Sequence, residues 1–407
     1  MRILAISNLY PPHIIGGYEI ACRDFCEGLA GLGHQIEVLT SKYGLSNESN
    51  SPNSSYSKEG QAIKRLLNFN NPQKTKNSIS KKWLGIKSVY FDLANFWVTF
   101  CEILRFKPDV VYIWNLAFVS LSPIIAAIIL KKKIVFHLED YWLGAALRFY
   151  RSQNQGIIEE CIKKVLTHLV YQKIVEAPFI AVSEHVKQYY QKQGMQGQNT
   201  VIYNGLARSF FVYPPKPKTG NQKTLLYVGR VVEDKGVRLI IEAMKILKEQ
   251  GFNDLRLDIV GTGEEEYVGQ LKKMILDYGL SGQVNFLSQK SHEETVKLYS
   301  LYLIIVVSSI WDEPFGLVAI EAMASGCVPI VSDSGALTEI VEDGKNGLVF
   351  QKGESKDLAD KIKDLLQNKP FIDKLSHAAF SSVRQQFSLK EKVKEVEGFL
   401  TAITAGS

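Results

Sequence analysis

Two glutamates, eight residues apart, stand in the stretch with the strongest chemical signal of the sequence. Glu313 and Glu321 flank a run of small and apolar residues that begins at Gly316. The pattern predicts a buried strand, Leu303–Val307, then a loop and a helix whose first free N–H groups can bind a phosphate. If the segment were helical throughout, the two acids would lie about 12 Å apart along its axis. That separation suits two ends of one extended ligand and exceeds the roughly 5–9.5 Å of a glycosidase carboxyl pair.

The alternative for this stretch is a helix that carries two incidental acids. Glu321 weakens that alternative, because its apolar neighbours Ile320, Ala322 and Met323 place it on a buried helix. An unpaired carboxylate in such a position is costly.

Two cations occupy a second loop, between a predicted strand, Thr224–Val228, and a predicted helix, Val237–Glu249. Arg230 closely follows the strand, and Lys235 precedes a glycine at the start of the helix. Cations in a strand-to-helix loop match a diphosphate on which negative charge develops as it leaves. Surface pairing with the two acids between them is the alternative, and the Glu313–Glu321 segment makes the diphosphate the preferred interpretation.

The elements that must position these residues alternate between strand and helix along most of the chain. This alternation predicts an α/β protein with parallel sheets covered on both faces. A chain of 407 residues suits two domains, and prolines between Phe210 and Lys223 mark a linker. We therefore predict two Rossmann-like domains, residues 1–208 and 209–386. Such sheets bind ligands at the carboxyl ends of their strands, so facing domains would form an interdomain cleft.

Two segments depart from this alternation. Residues 43 to 82 are rich in Ser, Asn, Lys and Gly and predict a long surface insertion. Residues 110 to 130 carry no charge until the lysines that follow, and their length suits a transmembrane helix. Because Pro123 and several polar residues interrupt the run, we predict a buried strand, Val110–Trp114, and a helix from about Ser122.

The composition is ordinary for a globular protein, with 46% hydrophobic residues, 22% charged residues and a mild net charge of +6. We expect no nucleic-acid partner. Five scattered cysteines fit no metal-binding pattern and predict reduced thiols in a cytoplasmic protein. The chain opens directly on a predicted strand, from which we expect no signal peptide.

Together these motifs resemble the retaining GT-B glycosyltransferases of family 4, the "glycosyl transferases group 1" family. The combination of Glu-x₇-Glu with the Arg…Lys-Gly loop is specific, whereas each other feature alone is weak. The matching features are, in chain order, Pro11-Pro12, Gly16-Gly17, Glu19, Phe136-His137, Val182-Ser183-Glu184, Ile202-Tyr203-Asn204-Gly205, Gly229-Arg230, Lys235-Gly236, Val260-Gly261-Thr262-Gly263, Glu313, Glu321 and Ser332 to Gly335.

The resemblance implies a donor site in the second domain. Arg230 and Lys235 should clamp the diphosphate of a nucleotide-sugar donor, Glu321 should accept from the ribose hydroxyls, and Glu313 should contact the transferred sugar. Backbone N–H groups around Gly316 should add to the phosphate site. The implied donor-binding residues of this domain are Arg230, Lys235, Glu313, Phe315, Gly316, Leu317, Val318 and Glu321.

The resemblance also implies contributions from the first domain. Gly16 and Gly17 should let the backbone close over the phosphates, and His137 should lie by the anomeric centre and face the sugar. His137 is followed by Leu138, Glu139 and Asp140 instead of directly by an acid, which leaves the role of the two acids open. The family further implies that the final helix, residues 387–407, packs back on the first domain.

The implied chemistry is transfer with retention of anomeric configuration, without cofactor or required metal. The leaving phosphate would assist deprotonation of the acceptor hydroxyl. The sequence has no Asp-x-Asp metal motif, in agreement with metal independence. Gly261-Thr262-Gly263 lacks the third glycine of a dinucleotide fingerprint, so a nicotinamide cofactor is not predicted.

The donor base is expected near residues 288–292, after a predicted strand, Val284–Leu287. No acid precedes Glu293 there, whereas a carboxylate would match the two donors of guanine well. Glu293 and Glu294 instead look like the first turn of a helix capped by Ser291. We therefore predict UDP over GDP, and UDP-glucose as the donor because it is the commonest UDP-sugar.

The acceptor is predicted only as a class, a glycan or a lipid-linked glycan in polysaccharide or glycolipid synthesis. Residues 61 to 107 hold nine basic against two acidic residues and are rich in aromatics. That mixture suits peripheral contact with the inner face of a membrane. Aromatic core residues beside solvated lysines are the alternative interpretation.

Three other functions are compatible with the same motifs. A GT-B sugar phosphorylase or a nucleotide-sugar epimerase would share the site but catalyse another reaction. Analysis of the reaction products would distinguish either enzyme from a transferase. A nucleotide-sugar-binding protein without turnover is disfavoured, because the cations and both glutamates are all present.

Overall fold

The computed structural model describes residues 1–44, 54–56, 61–71, 91–151, 170–211 and 223–406. The chain forms two compact units. The first comprises Met1–Asn204 and Leu389–Ser407, and the second comprises Gly205–Ser388. In the described part of the chain, no helix has both the length and the apolar character needed to cross a membrane.

The first unit is built on an eight-stranded sheet in the order β3-β4-β2-β1-β5-β6-β7-β8. All neighbouring strands run parallel except β3, which pairs with β4 in the antiparallel sense. The strands are β1 (Arg2–Ser7), β2 (Gln35–Ser41), β3 (Ser54–Tyr56), β4 (Ala62–Leu67), β5 (Val110–Asn115), β6 (Lys133–Leu138), β7 (Phe179–Ala181) and β8 (Asn199–Val201).

Helices follow the strands of this unit, as the alternation predicts. They are α1 (Tyr18–Gly31), α2 (Leu93–Phe106), α3 (Ser122–Ile129), α4 (Trp142–Arg151), α5 (Gln172–Glu176), α6 (Glu184–Lys192) and, from the end of the chain, α14 (Leu389–Ala405). Val393, Val396 and Leu400 of α14 lie in one core cluster with Phe25 and Leu29 of α1. The last helix is therefore part of the first unit.

The uncharged run from Val110 to Leu130 forms a strand, a loop and a helix, which confirms the prediction for this segment. Every residue of β5 is buried, because β5 lies between β1 and β6 and is covered on both faces. The helix α3 begins at Ser122 with Pro123 in its first turn, where proline is tolerated.

The prediction of an irregular insertion over residues 43 to 82 is wrong for residues 62–67. This segment is β4, which pairs in parallel with β2. Alternate residues of β4, among them Ile63 and Leu67, point into the unit, and the buried Arg65 donates to the backbone oxygens of Tyr10 and Pro11. A buried arginine in the alternating pattern concealed the strand. The rest of the predicted insertion lies largely outside the described residues.

The second unit contains a six-stranded, wholly parallel sheet in the order β11-β10-β9-β12-β13-β14. Its strands are β9 (Thr224–Val228), β10 (Arg256–Val260), β11 (Val284–Leu287), β12 (Ile304–Val307), β13 (Val328–Ser332) and β14 (Leu348–Phe350). Its helices are α7 (Val237–Glu249), α8 (Glu265–Asp277), α9 (His292–Tyr299), α10 (Leu317–Ala324), α11 (Leu337–Ile340), α12 (Ser355–Gln367) and α13 (Lys369–Gln386).

The order of this second sheet decides which loops meet. The chain reverses its direction of travel across the sheet between β9 and β12, which are neighbours. Ligands of such sheets bind where the strand order reverses, at the carboxyl ends. The loop after β9 carries the two predicted cations, and the loop after β12 carries Glu313.

Candidate functional site

Lys235 and Glu313, 78 residues apart in sequence, are in direct contact at this edge of the second sheet. The ammonium of Lys235 forms an ion pair with Glu313 Oε1, and the hydroxyl of Ser309 donates to the same oxygen. The Lys235 ammonium also lies 5.5 Å from the centre of the Trp311 ring, within range of a cation–π contact. Lys235, the expected phosphate-binding cation, and Glu313, the expected sugar-binding acid, are therefore adjacent.

Arg230 is placed differently from Lys235. Its side chain is exposed, and within the described part of the chain it forms no ion pair. Its backbone oxygen accepts a hydrogen bond of 2.7 Å from the hydroxyl of Tyr227. The loop is thus anchored through its backbone, while the guanidinium remains available to an anion in solvent.

The Gly261-Thr262-Gly263 motif supports this loop. A Cβ atom at Gly261 would lie 1.9 Å from the backbone oxygen of Gly229, and one at Gly263 would lie 1.9 Å from that of Val231. Val231 N donates to Thr262 O at 2.8 Å. These glycines are therefore needed for close packing of two loops, which accounts for them without a dinucleotide.

The segment from Phe315 to Val318 leads into helix α10. Gly316 has a φ of 127° and immediately precedes the first helical residue, Leu317. The first N–H groups of the helix have no partner within it, and such groups can bind an anion. Phe315 is buried, with its ring 5.8 Å from that of Phe387. Phe315 therefore packs in the core of the unit, and its backbone precedes the glycine.

Glu313 does not belong to helix α10, which begins four residues later at Leu317. The helical separation calculated for the two glutamates therefore does not apply to the whole segment. The backbone oxygen of Glu313 accepts a hydrogen bond of 2.8 Å from Ala336 N. Gly335 permits this approach, because a Cβ there would lie 2.3 Å from the same oxygen.

Glu321 is buried in α10 and is held at both oxygens. Tyr299 OH donates to Oε2 at 3.0 Å, and His292 Nε2 lies 3.0 Å from Oε1. Burial, and then the charge of Glu321, raise the pKa of Tyr299, so the phenol keeps its proton. The capping box that begins α9, formed by Ser291 and Glu294, confirms the prediction for that turn, and His292 is the first residue of the helix.

In the first unit, Gly16 and Gly17 lie between β1 and α1. The carboxylate of Glu19 accepts hydrogen bonds from Ile15 N and Gly16 N, both at 3.0 Å. Gly16 itself is exposed, whereas Glu19 is fully buried, and burial raises the pKa of its carboxyl. A buried side chain therefore fixes the backbone of an exposed glycine loop.

His137 is buried inside the first unit, and its expected place beside the sugar stays a prediction. Its exposure is 0%, and its ring stacks on Trp114 at 4.0 Å and contacts Phe25 at 5.2 Å. The reason is that β6 continues through Leu138, so His137 is an interior residue of the strand. Tyr112 OH forms a hydrogen bond with its Nδ1.

Two acids follow β6 directly. Glu139 lies within 3.2 Å of His137 Nε2 through Oε1, and its Oε2 accepts a hydrogen bond of 2.7 Å from Asn204 Nδ2. Asp140 accepts from Trp142 N at 2.9 Å and from Asn115 Nδ2 at 3.0 Å. Burial, with smaller contributions from Glu139 and Glu19, raises the pKa of Asp140 to about 6.

Sequence reasoning found the principal charged residues but missed their partners. The structure joins Lys235 to Glu313 and places Arg230 in the same loop as Lys235, while Glu321 lies in a separate contact with α9. Tyr299, Ser309 and Asn204 were not assigned roles. Asn204 was visible as part of a matching motif, whereas no sequence signal connected Tyr299 or Ser309 to an acid.

Two family models match the chain, one to each half. "Glycosyltransferase Family 4" matches residues 15–209, and "Glycosyl transferases group 1" matches residues 213–382. Between them they leave only short segments of the chain unmatched.

Similar proteins match over the whole length. The "Uncharacterized glycosyltransferase MJ1607" of Methanocaldococcus jannaschii is 25% identical over 97% of this chain and 96% of its own. Among solved structures, sucrose-phosphate synthase from Thermosynechococcus elongatus has a TM-score of 0.76 and 20% identity, with both chains fully covered. Anabaena Alr3699/HepE in complex with UDP and glucose has a TM-score of 0.73 and 19% identity, covering 99% and 100%. The two structures establish likeness of fold.

Proposed function

The chain belongs to the group 1, family 4 glycosyltransferases, and we propose that it transfers a hexose, with glucose the first candidate, from a UDP-sugar to a hydroxyl group. As a glycosyltransferase it acts in the assembly of glycans or glycolipids. The observation that carries the proposal is the concentration of anion-binding groups at one edge of the second sheet. Arg230, Lys235 and the start of α10 all lie there.

The proposed donor chemistry follows from the charges at this edge. A sugar-nucleotide leaves as a diphosphate, and fixed cations stabilise the negative charge that develops on it. Arg230 and Lys235 would supply that charge, so the proposed reaction requires no metal ion. Glu313, already next to Lys235, would accept from the hydroxyls of the transferred sugar when the lysine turns to the phosphate. Retention of anomeric configuration is part of the same proposal.

UDP is the proposed nucleotide. The segment before α9 offers backbone groups and Ser291, which suit uracil. His292, the next residue, contacts the carboxylate of Glu321. In support, the structurally similar Anabaena protein has been solved with UDP and glucose. The proposed role of Glu321 is to accept from the ribose hydroxyls.

A thermal-shift comparison of UDP, GDP and ADP with their sugars tests the donor. A ligand at a hundred times its Kd stabilises the protein by about 2.7 kcal/mol, so UDP and UDP-glucose should raise Tm and the other nucleotides should not. Product analysis by NMR should then show a retained anomeric configuration, with turnover undiminished in EDTA. Stabilisation by GDP or ADP alone would refute the UDP assignment.

We also propose that the acceptor is a glycan or a lipid-linked glycan and that helix α2 makes peripheral contact with an anionic membrane. Leu93, Trp97 and Leu104 are each more than half exposed, and they lie on one face of α2. Exposed Lys107 and Lys131 follow α2 and α3. An amphipathic helix with tryptophan and flanking lysines is suited to the surface of an anionic bilayer.

Vesicle co-sedimentation tests this contact. The wild-type protein should bind phosphatidylglycerol-containing vesicles in preference to phosphatidylcholine vesicles, and W97S/L104S should bind several-fold less. L276S is the matched control, because Leu276 is a highly exposed leucine of the second unit. Equal loss in the control, or binding of the wild type that ignores lipid charge, would contradict the assignment of α2.

A further inference from the structure

Four aromatic side chains meet at the carboxyl ends of four neighbouring strands of the first unit. Strands β4, β2, β1 and β5 lie side by side and run parallel, and the loop after each of them contributes one ring. In that strand order the rings belong to Phe69, Tyr43, His13 and Phe118, and we call this set the aromatic platform. Because ligands of open α/β sheets bind outside these ends, the platform lies where a ligand is expected.

The rings of the platform contact one another in succession. The ring centroids of Tyr43 and Phe69 are 4.8 Å apart, and those of Phe69 and Phe118 are 5.2 Å apart. His13 and Tyr43 meet edge to face at 6.3 Å. All four residues are half-buried, whereas Phe25 in the core of the same unit is fully buried. The platform therefore keeps part of its surface open to solvent.

One ring of the platform is carried by a strained backbone. The φ of Phe118 is 64°, and that of Ser120 in the same loop is 80°. This left-handed region is uncommon for residues other than glycine and is unfavourable for a bulky side chain. Among the described residues, the other positive φ values outside glycine, at Lys107 and Lys131, occur at helix ends, where they are common. Strained residues within loops cluster at ligand sites.

A buried polar network holds the loops of β4 and β5 in place. Asn95, in the first turn of α2, donates to Val119 O at 2.8 Å. Asp92, the buried N-cap of α2, accepts from Asn70 Nδ2 at 3.0 Å. Asn70 N in turn donates to Phe118 O at 2.7 Å. The network therefore positions the rings of both loops without burying them completely.

The loops of β1 and β2 are joined to β4. The guanidinium of Arg65, on β4, donates to Tyr10 O at 3.2 Å and to Pro11 O at 2.5 Å. Lys42 N donates to Leu67 O at 2.8 Å. The four loops thus form one preorganised surface, and preorganisation lowers the entropic cost of binding a ligand.

The chemistry of the platform is suited to a sugar ring. A pyranose presents a face of C–H groups, and the electron-rich face of an aromatic ring attracts such groups. The hydroxyls at the rim of the sugar need both donors and acceptors. Burial, and then the charge of Arg65, lower the pKa of His13, so its neutral imidazole offers one of each at pH 7.

We propose that the aromatic platform binds a sugar ring of the acceptor glycan by stacking, with Tyr43 and Phe69 as the principal contacts. The inference rests on the proposed function and makes it more specific, because the acceptor is then recognised through its sugar rings and not through a lipid. All four rings belong to the first unit, so the glycan should bind without the donor.

The double variant Y43L/F69L tests the stacking, because leucine keeps the apolar volume and removes the ring. An array of immobilised glycans, read without donor, identifies the glycan that the wild-type protein binds, and calorimetry gives its Kd. We expect the Kd to rise at least about tenfold in the double variant and about threefold in each single variant. The Kd of UDP should change less than twofold. If the double variant has a lower Tm, the single variants give the same comparison.

Two further variants separate stacking from a general loss of packing. F69Y keeps an aromatic ring and should bind the glycan within twofold of wild type. Y278L is the matched control, because Tyr278 is a half-buried aromatic residue of the second unit that contacts Lys245. It should leave glycan affinity unchanged.

Three results would overturn the proposal. A wild-type protein that binds no glycan on the array would exclude a carbohydrate site, and unchanged glycan affinity in Y43L/F69L would exclude the platform. Lost binding of Y43L/F69L to sugar-free phosphatidylglycerol vesicles, with glycan affinity retained, would assign the platform to lipid. The proposed function fails separately, through the absence of UDP binding and of turnover of any UDP-sugar, because the array is read without donor.

Discussion

The two sheet edges of this protein differ in their charged residues, because the first carries buried acids and the second carries two cations, one of them paired with Glu313. At the carboxyl ends of the first sheet lie Glu19, Glu139 and Asp140, all largely buried and mutually close. At the carboxyl ends of the second sheet lie Arg230 and Lys235, in a loop that is anchored through its backbone. Both edges are built from the same strand-loop-helix unit, so the difference lies in the loops and not in the architecture.

This difference in charged residues indicates which kind of ligand each edge can bind. The exposed Arg230 can attract a diphosphate from solvent, whereas the partly buried Lys235 would have to exchange Glu313 for the phosphate. Buried carboxylates cannot attract an anion, but they accept hydrogen bonds from hydroxyls with fixed geometry. The second edge is therefore suited to phosphate recognition and the first to recognition of sugar hydroxyls.

The largest expected effect comes from removing the charge of the second edge. R230A or K235A should lower turnover by about 10² or more, because stabilisation of the leaving diphosphate is lost. The fold should remain intact in R230A, since the guanidinium is exposed. Steady-state kinetics with a Tm measurement checks this.

R238A provides the control for that experiment. Arg238 is a nearby exposed arginine that pairs with Glu242 on α7. Near-normal activity in both R230A and K235A, or an equal loss in the control, would break the distinction between the two edges.

An intermediate effect is expected within the second edge, between its two glutamates. E321A should weaken UDP binding about 10- to 100-fold, the range of a hydrogen bond to a charged group. E313A should leave UDP affinity nearly unchanged while lowering transfer, because Glu313 is assigned to the sugar. Calorimetry with UDP checks both variants.

Y299F sharpens the same comparison. It keeps the Glu321 carboxylate but removes one of its two partners, so UDP affinity should fall less than in E321A. If E313A weakens UDP more than E321A does, the orientation of the donor is reversed.

The smallest expected effect concerns the pH dependence of stability at the first edge. The pKa of Asp140 is raised to about 6, mainly by burial, from an ordinary 3.8. The folded protein therefore binds this proton more tightly than the unfolded chain does. The resulting stabilisation is complete below pH 4 and is lost as pH rises through 6.

D140N removes this titration. Between pH 4 and 7 the free energy of unfolding of D140N should rise relative to that of the wild type by on the order of 2 kcal/mol. Urea unfolding at several pH values measures the difference, with D92N as the control. A parallel pH dependence in D140N and wild type would show that Asp140 is not the group concerned.

The sequence by itself determined the alternating α/β plan, because each element carries its own hydrophobic period and its own turn residues. Helix α7 and strand β9 have the bounds that the pattern predicts, and the capping box of α9 is present. The strand β4 was missed, since Arg65 occupies a position where the alternation requires an apolar residue. The charged residues of the second edge were also visible, because their types and spacing are local features of the chain.

Only the tertiary structure decided which of these residues meet. Lys235 reaches Glu313 because β9 and β12 are neighbours in the sheet, and strand order is a long-range property that no local pattern records. Likewise, only Leu138 separates His137 from Glu139 in sequence, yet His137 lies inside the sheet and Glu139 lies beyond its end. Where a strand stops is set by its pairing with the strands beside it, and that pairing decides which of the two side chains lies inside the sheet.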